Sequence, residues 1–297
     1  MNNFFKKNSK GELTTQQIVV LIILIASFAV LLLFLFKLNL GSESDSEICH
    51  NSVVLRGNSA IPINSVPLDC QRSYVCITED GSCENMTKPE KIKVKTEDEV
   101  YEALANELTD CWWMFGEGKV NYVGKDFKNN LYCSICSQII FDNSVGENIF
   151  KAETFDRKNL YEYMVNNKMQ GSDKTYSLYL YDTNDLEIIS SKRPFGEVSF
   201  DANFYTLMGI TSKITNLGWI GVGAAAVGAT ALHFISAGTS TLVIGVLAAS
   251  TAGGIGGHYI ASVIQGESGN DFISPTFIIV NSDEFKNLNC HEVITKS

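Results

Sequence analysis

The sequence predicts an α+β fold: a disulfide-bonded extracytoplasmic domain, with an N-terminal transmembrane helix and a Gly/Ala-rich transmembrane helical hairpin. Three observations lead to this prediction. Residues 18–36 form an uncharged apolar run, all eight cysteines follow that run, and helical and strand-like patterns then mix without the regular spacing of βαβ units.

The first element is the apolar run from Ile18 to Phe36. As a helix it is about 28 Å long, close to the ~30 Å hydrocarbon core of a bilayer. A secretory signal peptide would have a shorter apolar core and a small-residue cleavage site, whereas this run continues directly into Lys37. We therefore expect a retained anchor over residues 18–38, after a cytoplasmic tail of residues 1–17.

Charge indicates the orientation of this anchor. Lys6, Lys7 and Lys10 precede it with a single acid, Glu12, whereas residues 41–47 after it contain three acids and no base. Positive flanks stay in the cytoplasm, so the amino terminus is predicted to be inside. The whole chain has a net charge of −10. Nucleic acid is not an expected partner, because binding it takes clustered Lys and Arg.

The residues before the anchor resemble a known export signal. Lys10 and Gly11, the polar stretch from Glu12 to Gln17 and the apolar run are together similar to the class III signal of archaeal type IV pilins and pilin-like surface proteins. The resemblance covers about the first 36 residues. It implies signal processing after Gly11 and a helix that stays as an anchor or packs into a filament core with other pilus-like proteins. That family usually has glutamate at the fifth position after the cut, where this chain has Gln16.

The cysteines test the same placement independently. An even number of cysteines in an exported region indicates disulfides, and their spacing alone leaves the pairing open. Residues 41–95 are interpreted as a small cysteine-rich, β-rich extracytoplasmic segment. Within it Asn85-Met-Thr87 is a glycosylation sequon, which makes Asn85 a possible acceptor. The eight disulfide candidates are Cys49, Cys70, Cys76, Cys83, Cys111, Cys133, Cys136 and Cys290.

A helix opens the α+β ectodomain predicted over residues 96–213. Thr96-Glu-Asp-Glu99 is a capping box, apolar residues follow at steps of three or four, and Gly116 is a stop signal. The pattern predicts a helix from Glu97 to Phe115.

Trp112 and Trp113 close this helix, and neighbours on a helix are about 100° apart, so one of them points away from the apolar seam. Either both pad the core from two sides, or the outer one faces a partner or the membrane interface. The surrounding residues 110–118 are similar to a run in uncharacterised archaeal membrane proteins, a resemblance that implies no activity.

Residues 131–141 are predicted as a strand that contains Cys133-Ser-Ile-Cys136. Alternation places Cys133 with Ile139 and Phe141 on one face and Cys136 on the other. We interpret both as structural cysteines paired elsewhere, with Cys111 a plausible mate for the inward one. The alternative is that Cys133 and Cys136 are the catalytic pair of an exported thiol-disulfide oxidoreductase.

The Cys-His dipeptides at residues 49–50 and 290–291 could supply metal ligands together with the Cys133-x-x-Cys136 motif. The close C-x2-C and H-x3-H pairs of zinc sites are not present together, so no metal and no other cofactor is expected.

Shorter elements complete the ectodomain. Asp156 is expected to cap a helix from Arg157 to Met169. Alternating patterns predict strands at residues 175–182, 186–189, 197–200 and 275–280. Residues 270–297 are expected to be the C-terminal part of the same domain.

Residues 216–264 form the second unusual stretch, in which only His233 and His258 could carry charge. It divides at residues 236–240 into two arms long enough to span a membrane. Small residues recur at steps of four in each arm, which lets helices pack closely in lipid. This predicts a hairpin of two spans that returns the tail to the exterior and could support a homo-oligomer. The packing residues are Gly221, Ala225, Ala229, Gly245, Ala249, Gly253 and Gly257.

No Ser/His/Asp arrangement, P-loop, dinucleotide-binding loop or close pair of carboxylates stands out. We therefore predict a non-enzymatic, multi-pass membrane-anchored cell-surface protein, with its amino terminus cytoplasmic and its main domain extracytoplasmic. Its partners would be membrane lipid and other surface components. The alternatives are the oxidoreductase and a membrane-inserting or pore-forming protein that uses the glycine-rich hairpin.

Overall fold

The structure is a computed structural model that describes residues 15–37, 40–58, 65–84, 86–124, 130–186, 189, 196–212, 233–237, 240–247, 259–266, 269–288 and 290–295. The chain divides into two compact units, Met1–Ser44 and Asp45–Ser297. The second unit mixes helices and strands and contains four disulfides, which confirms the α+β class.

The helices vary widely in length. They are α1 (Thr15–Lys37), α2 (Leu40–Gly57), α3 (Glu97–Met114), α4 (Arg157–Asn166), α5 (Tyr176–Tyr181) and α6 (Asp283–Asn287), with a π-helical turn at Val145–Phe150.

Most strands belong to one sheet. They are β1 (Ser73–Thr78), β2 (Glu90–Lys93), β3 (Tyr132–Phe141), β4 (Thr154–Asp156), β5 (Glu197–Ser199), β6 (Phe204–Thr211), β7 (His233–Ala237), β8 (Ser240–Leu247), β9 (Tyr259–Gln265), β10 (Asp271–Ile279) and β11 (Glu292–Val293). The nine-stranded sheet runs β2-β1-β3-β6-β10-β9-β8-β7, and β11 pairs with β3. β1 is parallel to β2 and β3, β11 is parallel to β3, and the other neighbours are antiparallel.

Two apolar layers cover the two faces of the sheet. On one face α3 packs across β3, β6 and β10, and α4 and α5 pack against α3. We call this layer the helix-side core; it includes Val75, Leu108, Ile139 and Phe272. On the other face lies a smaller layer, the tail-side core, made of Leu131, Cys133, Ile135, Leu207, Ile273, Ile278 and Leu288.

The start of α3 follows the sequence closely. The Thr96 hydroxyl accepts a hydrogen bond from the amide of Glu99 (3.2 Å), and the Glu99 carboxylate accepts one from the amide of Lys95 (2.5 Å). These contacts satisfy amides that have no partner inside the helix, so the predicted helix is confirmed within one residue at each end. The Asp156 cap of α4 is likewise confirmed.

The anchor prediction has no such support from the fold. The helix α1 covers the apolar run, and its described side chains from Ile18 to Val30 include many exposed aliphatic residues. Within the residues that the structure describes, no helix combines the length and the hydropathy needed to cross a membrane.

The predicted helical hairpin is wrong where the structure describes it. β7, β8 and all but the last residue of β9 lie within residues 216–264. These strands form antiparallel pairs, and β9 continues the sheet from β10. Runs such as Thr241-Leu-Val-Ile244 are rich in β-branched residues, which favour strands, and glycine disfavours helix interiors. Gly245 lies in β8 opposite Ala261. The other six packing residues lie outside the described part of the chain.

Two further expectations are wrong. The predicted strand over residues 175–182 is instead the helix α5 with its two caps, because Thr175 accepts a hydrogen bond from the amide of Leu178 and thereby caps a helix. The segment 41–95 is not only β-rich, since α2 covers its first part. Its polar sequence concealed an amphipathic pattern: Cys49, Ser52 and Val53 are buried.

Candidate functional site

All eight cysteines form disulfides, in the pairs Cys49–Cys70, Cys76–Cys83, Cys111–Cys136 and Cys133–Cys290. The second closes a short loop next to β1, and the third ties α3 to the sheet. The fourth joins β3 to the tail over 157 residues of sequence. The disulfides therefore connect every layer of the domain.

The two cysteines of the Cys133-x-x-Cys136 motif are not bonded to each other. Cys133 lies in the tail-side core and Cys136 in the helix-side core, on opposite faces of β3. The alternation of the strand predicted that each cysteine pairs elsewhere, and this prediction is confirmed. A redox pair needs both sulfurs within bonding reach of each other, and this arrangement does not provide it.

One detail of that interpretation is corrected by a β-bulge in β3. The pairing with β6 shifts by one residue between Ile135 and Ser137, which leaves Cys136 as the extra residue. Beyond the bulge the faces exchange, so Ile139 and Phe141 lie with Cys136 and not with Cys133. Cys136 therefore faces α3, and it is Cys136 that pairs with Cys111.

Trp112 and Trp113 take different positions at the end of α3. Trp112 is buried and meets Phe272 of β10 edge to face at 6.1 Å, so it belongs to the core and Trp113 is the outer indole. Trp113 is half-buried and stacks on the imidazole of His50, with ring centroids 4.2 Å apart and planes 5° apart. One face of the outer indole is thus covered by α2.

His50 also binds the end of α3 through its ring nitrogen. The Nδ1 atom lies 2.6 Å from the carbonyl oxygen of Trp113. Because a carbonyl can only accept, Nδ1 carries a proton and donates this hydrogen bond. This donor adds to the C-cap of α3, because the Trp113 carbonyl also accepts a hydrogen bond from the amide of Gly116 (3.0 Å).

A second polar contact lies beside the first. Tyr179 of α5 donates a hydrogen bond to Glu117 Oε1 (2.6 Å), and Lys119 binds the other carboxylate oxygen. Burial raises the pKa of Glu117, but the hydrogen bonds from Lys119 and Tyr179 and the charges of Lys119 and His50 outweigh it and lower the pKa overall. Burial and the Glu117 charge raise the pKa of Tyr179.

These shifts decide what the α3 end can do chemically. Glu117 is held ionised and Tyr179 is held protonated, so neither exchanges a proton readily near neutral pH. We conclude that the role of these contacts is structural: they hold α2 and α5 against the end of α3. The residues involved are His50, Trp113, Glu117 and Tyr179.

Two carboxyl groups with the opposite behaviour lie further back on α3. Burial raises the pKa of Glu107 to about 7, against a hydrogen bond from Ser137 that lowers it, and the charges of Asp110 and Glu90 add to the increase. Burial and the Glu90 charge raise the pKa of Asp110 to about 6. This cluster was not predicted from the sequence. The spacing of Glu107 and Asp110 was visible, but the approach of Glu90 from β2 was not.

Some predicted sites cannot be placed. Asn85, Gly11 and His258 lie outside the described residues. Among the residues that the structure does describe, no group of three or more His, Cys, Asp or Glu side chains could hold a metal ion.

Comparison with known proteins adds no family to this geometry. No protein-family model matches the chain, and neither a curated protein nor a solved structure shows a significant match.

Proposed function

We propose that this protein is a membrane-anchored cell-surface protein. Its disulfide-bonded domain would act by binding or assembling with other surface components rather than by catalysis. The observation that carries the proposal is the complete pairing of all eight cysteines within one compact unit. Structural disulfides persist in oxidising compartments, whereas cytosolic thiols are kept reduced, so this pairing supports export.

The long disulfide bears on topology. Cys290 near the end of the chain pairs with Cys133 in the middle, and a bond of this kind requires both residues in the same compartment. This supports an arrangement in which β3 and the tail lie on the same side of the membrane.

The apolar surface of α1 supports anchoring. The exposed fraction of its described aliphatic residues runs from 43% at Ile18 to 65% at Val30. Contiguous apolar surface is unfavourable in water, and insertion into lipid would remove it. The basic residues before the run support a cytoplasmic amino terminus.

Compartment and anchoring are tested on the full chain in intact cells. Thiols are blocked before lysis, membranes are washed with alkaline carbonate, and the protein is mapped as non-reduced peptides. We expect retention in the membrane and four cross-linked peptide pairs. Free thiols in the mapped protein, or release by carbonate, would contradict the proposal.

A pair of variants isolates the role of α1. Lysine at Ile25 and Phe28 places two charges at the centre of the apolar run, at a cost of about 2.5–3.5 kcal/mol each in a bilayer. We expect this variant to leave the membrane fraction, while alanine at the same positions stays. Equal retention of the two variants would argue against insertion of α1.

Signal processing is proposed at Gly11, on the resemblance to class III signals. The expected mature chain begins at Glu12, and the intact mass of the purified protein measures this directly. Gly11→Val should abolish the cut, whereas Leu13→Val should not. A wild-type protein that retains Met1 would exclude processing and leave the anchoring test unaffected.

A further inference from the structure

The sheet face opposite α3 carries a row of large polar and aromatic side chains near its β1–β2 end. Tyr74 of β1 is in register with Gln138 of β3, which is in register with Tyr205 of β6. Side chains in register on neighbouring strands share a face and lie about 5 Å apart. Tyr74 is 37% exposed, and Gln138 and Tyr205 are half-buried. The row is therefore accessible over three adjacent strands.

Arg72 completes this row. It precedes Tyr74 by two positions, and its guanidinium lies 4.9 Å from the centroid of the Tyr205 ring. Phe285 of α6 packs against the same ring, with the centroids 5.4 Å apart. The guanidinium is thus held in place by an aromatic shelf, which pre-organises a planar donor for a carboxylate.

The charge of Arg72 is not neutralised within the described part of the chain. No carboxylate there lies within salt-bridge distance of it, and its buried Nε hydrogen has no acceptor. A buried donor without an acceptor is unfavourable. A carboxylate bound to this guanidinium would supply an acceptor and neutralise its charge.

Two lysines extend the positive charge to the edge of the sheet. Lys91 of β2 is in register with Cys76, so it lies on the same face as Tyr74, and Lys93 follows two positions later. Both are exposed, although Lys91 also donates a hydrogen bond to the carbonyl of Gly81 (2.8 Å). The strand positions on this face of β1, β2 and the second half of β3 include no acidic residue. The chain as a whole carries a net charge of −10, so these strand positions are a local reversal of sign. The helix α6, which packs on Tyr205 through Phe285, also carries Asp283, and this carboxylate is paired with Lys286.

We propose that Arg72, Tyr74, Gln138 and Tyr205, with Lys91 and Lys93 at the rim, form a docking surface for an acidic segment of a partner protein. A carboxylate binds Arg72, and an apolar side chain next to it lies on Tyr74. Tyr and Arg are the residue types that dominate binding energy at protein interfaces. A second copy of the chain is a poorer occupant, since two molecules of charge −10 repel each other.

This inference rests on the proposed function, binding to another surface component, and specifies the chemistry of that component. The test uses the full chain in detergent micelles and three fluorescent twelve-residue peptides that alternate valine with glutamate, glutamine or lysine. Fluorescence anisotropy at low salt gives a Kd for each peptide. We expect the glutamate peptide to bind about tenfold more tightly than the glutamine peptide, and the lysine peptide not to bind.

Substitutions at Arg72 and Tyr74 test whether the peptide binds to this face. Arg72→Gln and Tyr74→Ala should each weaken the glutamate peptide about tenfold, whereas Tyr74→Phe should retain the affinity. The matched control for charge is Lys158→Gln on α4, where Lys158 is exposed and paired with Glu162. Unchanged non-reduced mobility and circular dichroism show that each variant is folded.

Two results would overturn the proposal. One is an affinity for the glutamate peptide that equals that for the glutamine peptide or survives Arg72→Gln. The other is full displacement of the glutamate peptide by an equal concentration of single-stranded oligothymidine, which would mean that the surface reads negative charge alone. Neither result affects the membrane-retention and peptide-map tests, so failure here is distinguishable from failure of the proposed function.

Discussion

Among the carboxyl groups of α3, Glu107 is expected to make the largest contribution to the pH dependence of stability. Burial raises its pKa from 4.5 to about 7, so the folded chain holds a proton that the unfolded chain releases. Folding therefore takes up a proton between these two values, and the free energy of unfolding falls as pH rises through that window. Below pH 4.5 both states are protonated and the penalty is absent.

Unfolding measurements at two pH values test this assignment. With disulfides intact, the free energy of unfolding should be lower at pH 8 than at pH 5 by about 1–2 kcal/mol, discounted because Glu107 is half-buried and solvent screens it. Glu107→Gln should stabilise the protein at pH 8 and shrink the difference. Part of the difference remains, since burial also raises the pKa of Asp110.

The control for this prediction is Glu102→Gln, an exposed position on the same helix. It should leave the difference between pH 5 and pH 8 nearly unchanged. Equal effects of the two substitutions would mean that the net charge of α3, and not the buried site, sets the pH dependence.

His50 combines a ring stack with a hydrogen bond, and two variants separate them. His50→Ala removes both, whereas His50→Phe keeps an aromatic ring over Trp113 and loses only the donor to the Trp113 carbonyl. We expect losses in the free energy of unfolding of about 1–2 kcal/mol for alanine and about 1 kcal/mol for phenylalanine. Identical losses would show that the stack contributes nothing measurable.

β11 is attached to β3 by backbone pairing and by the Cys133–Cys290 disulfide. Around that bond the amides of His291 and Ile294 donate to the carbonyls of Leu131 (2.8 Å) and Cys133 (2.9 Å). A two-residue strand makes few contacts of its own, so we expect the covalent link to keep the tail in register.

Paired serine variants measure this dependence. Cys133→Ser with Cys290→Ser should raise the hydrogen-exchange rates of the His291 and Ile294 amides at least about tenfold. In the chain-entropy limit the lost stability is about 5 kcal/mol, compared with about 2 kcal/mol for Cys76→Ser with Cys83→Ser, whose loop is far shorter. Unchanged exchange of the tail amides would show that packing alone holds β11.

Elements set by neighbouring residues could be predicted from the sequence. The caps at Thr96 and Asp156 act over two or three residues, and the apolar steps of α3 report its buried face directly. α5 was mistaken for a strand because alternation over residues 175–182 outweighed the hydroxyl cap at Thr175, which is an equally local signal. The bulge at Cys136 depends on pairing with β6 and has no signature in β3 itself.

The same limit explains the larger errors. A long stretch of small and apolar residues satisfies the criteria for a membrane helix, yet it also suits a central strand buried on both faces. What decides between them is the neighbouring strand: β9 pairs with β10, and β10 in turn pairs with β6, whose residues lie far from it in the sequence. The candidate docking face is equally non-local, because Arg72, Gln138 and Tyr205 come from three separate parts of the sequence.

The bond between Cys133 and Cys290 also dictates an order of events during biosynthesis. Chains emerge from their amino end, so the thiol of Cys133 must wait through 157 further residues before its mate has been made. Throughout that interval six other cysteines, all nearer the start than Cys290, compete for it. A host that supplies disulfide isomerase should therefore yield more correctly bridged protein than one that supplies only an oxidant, and a stop codon before residue 290 should leave one thiol without its mate.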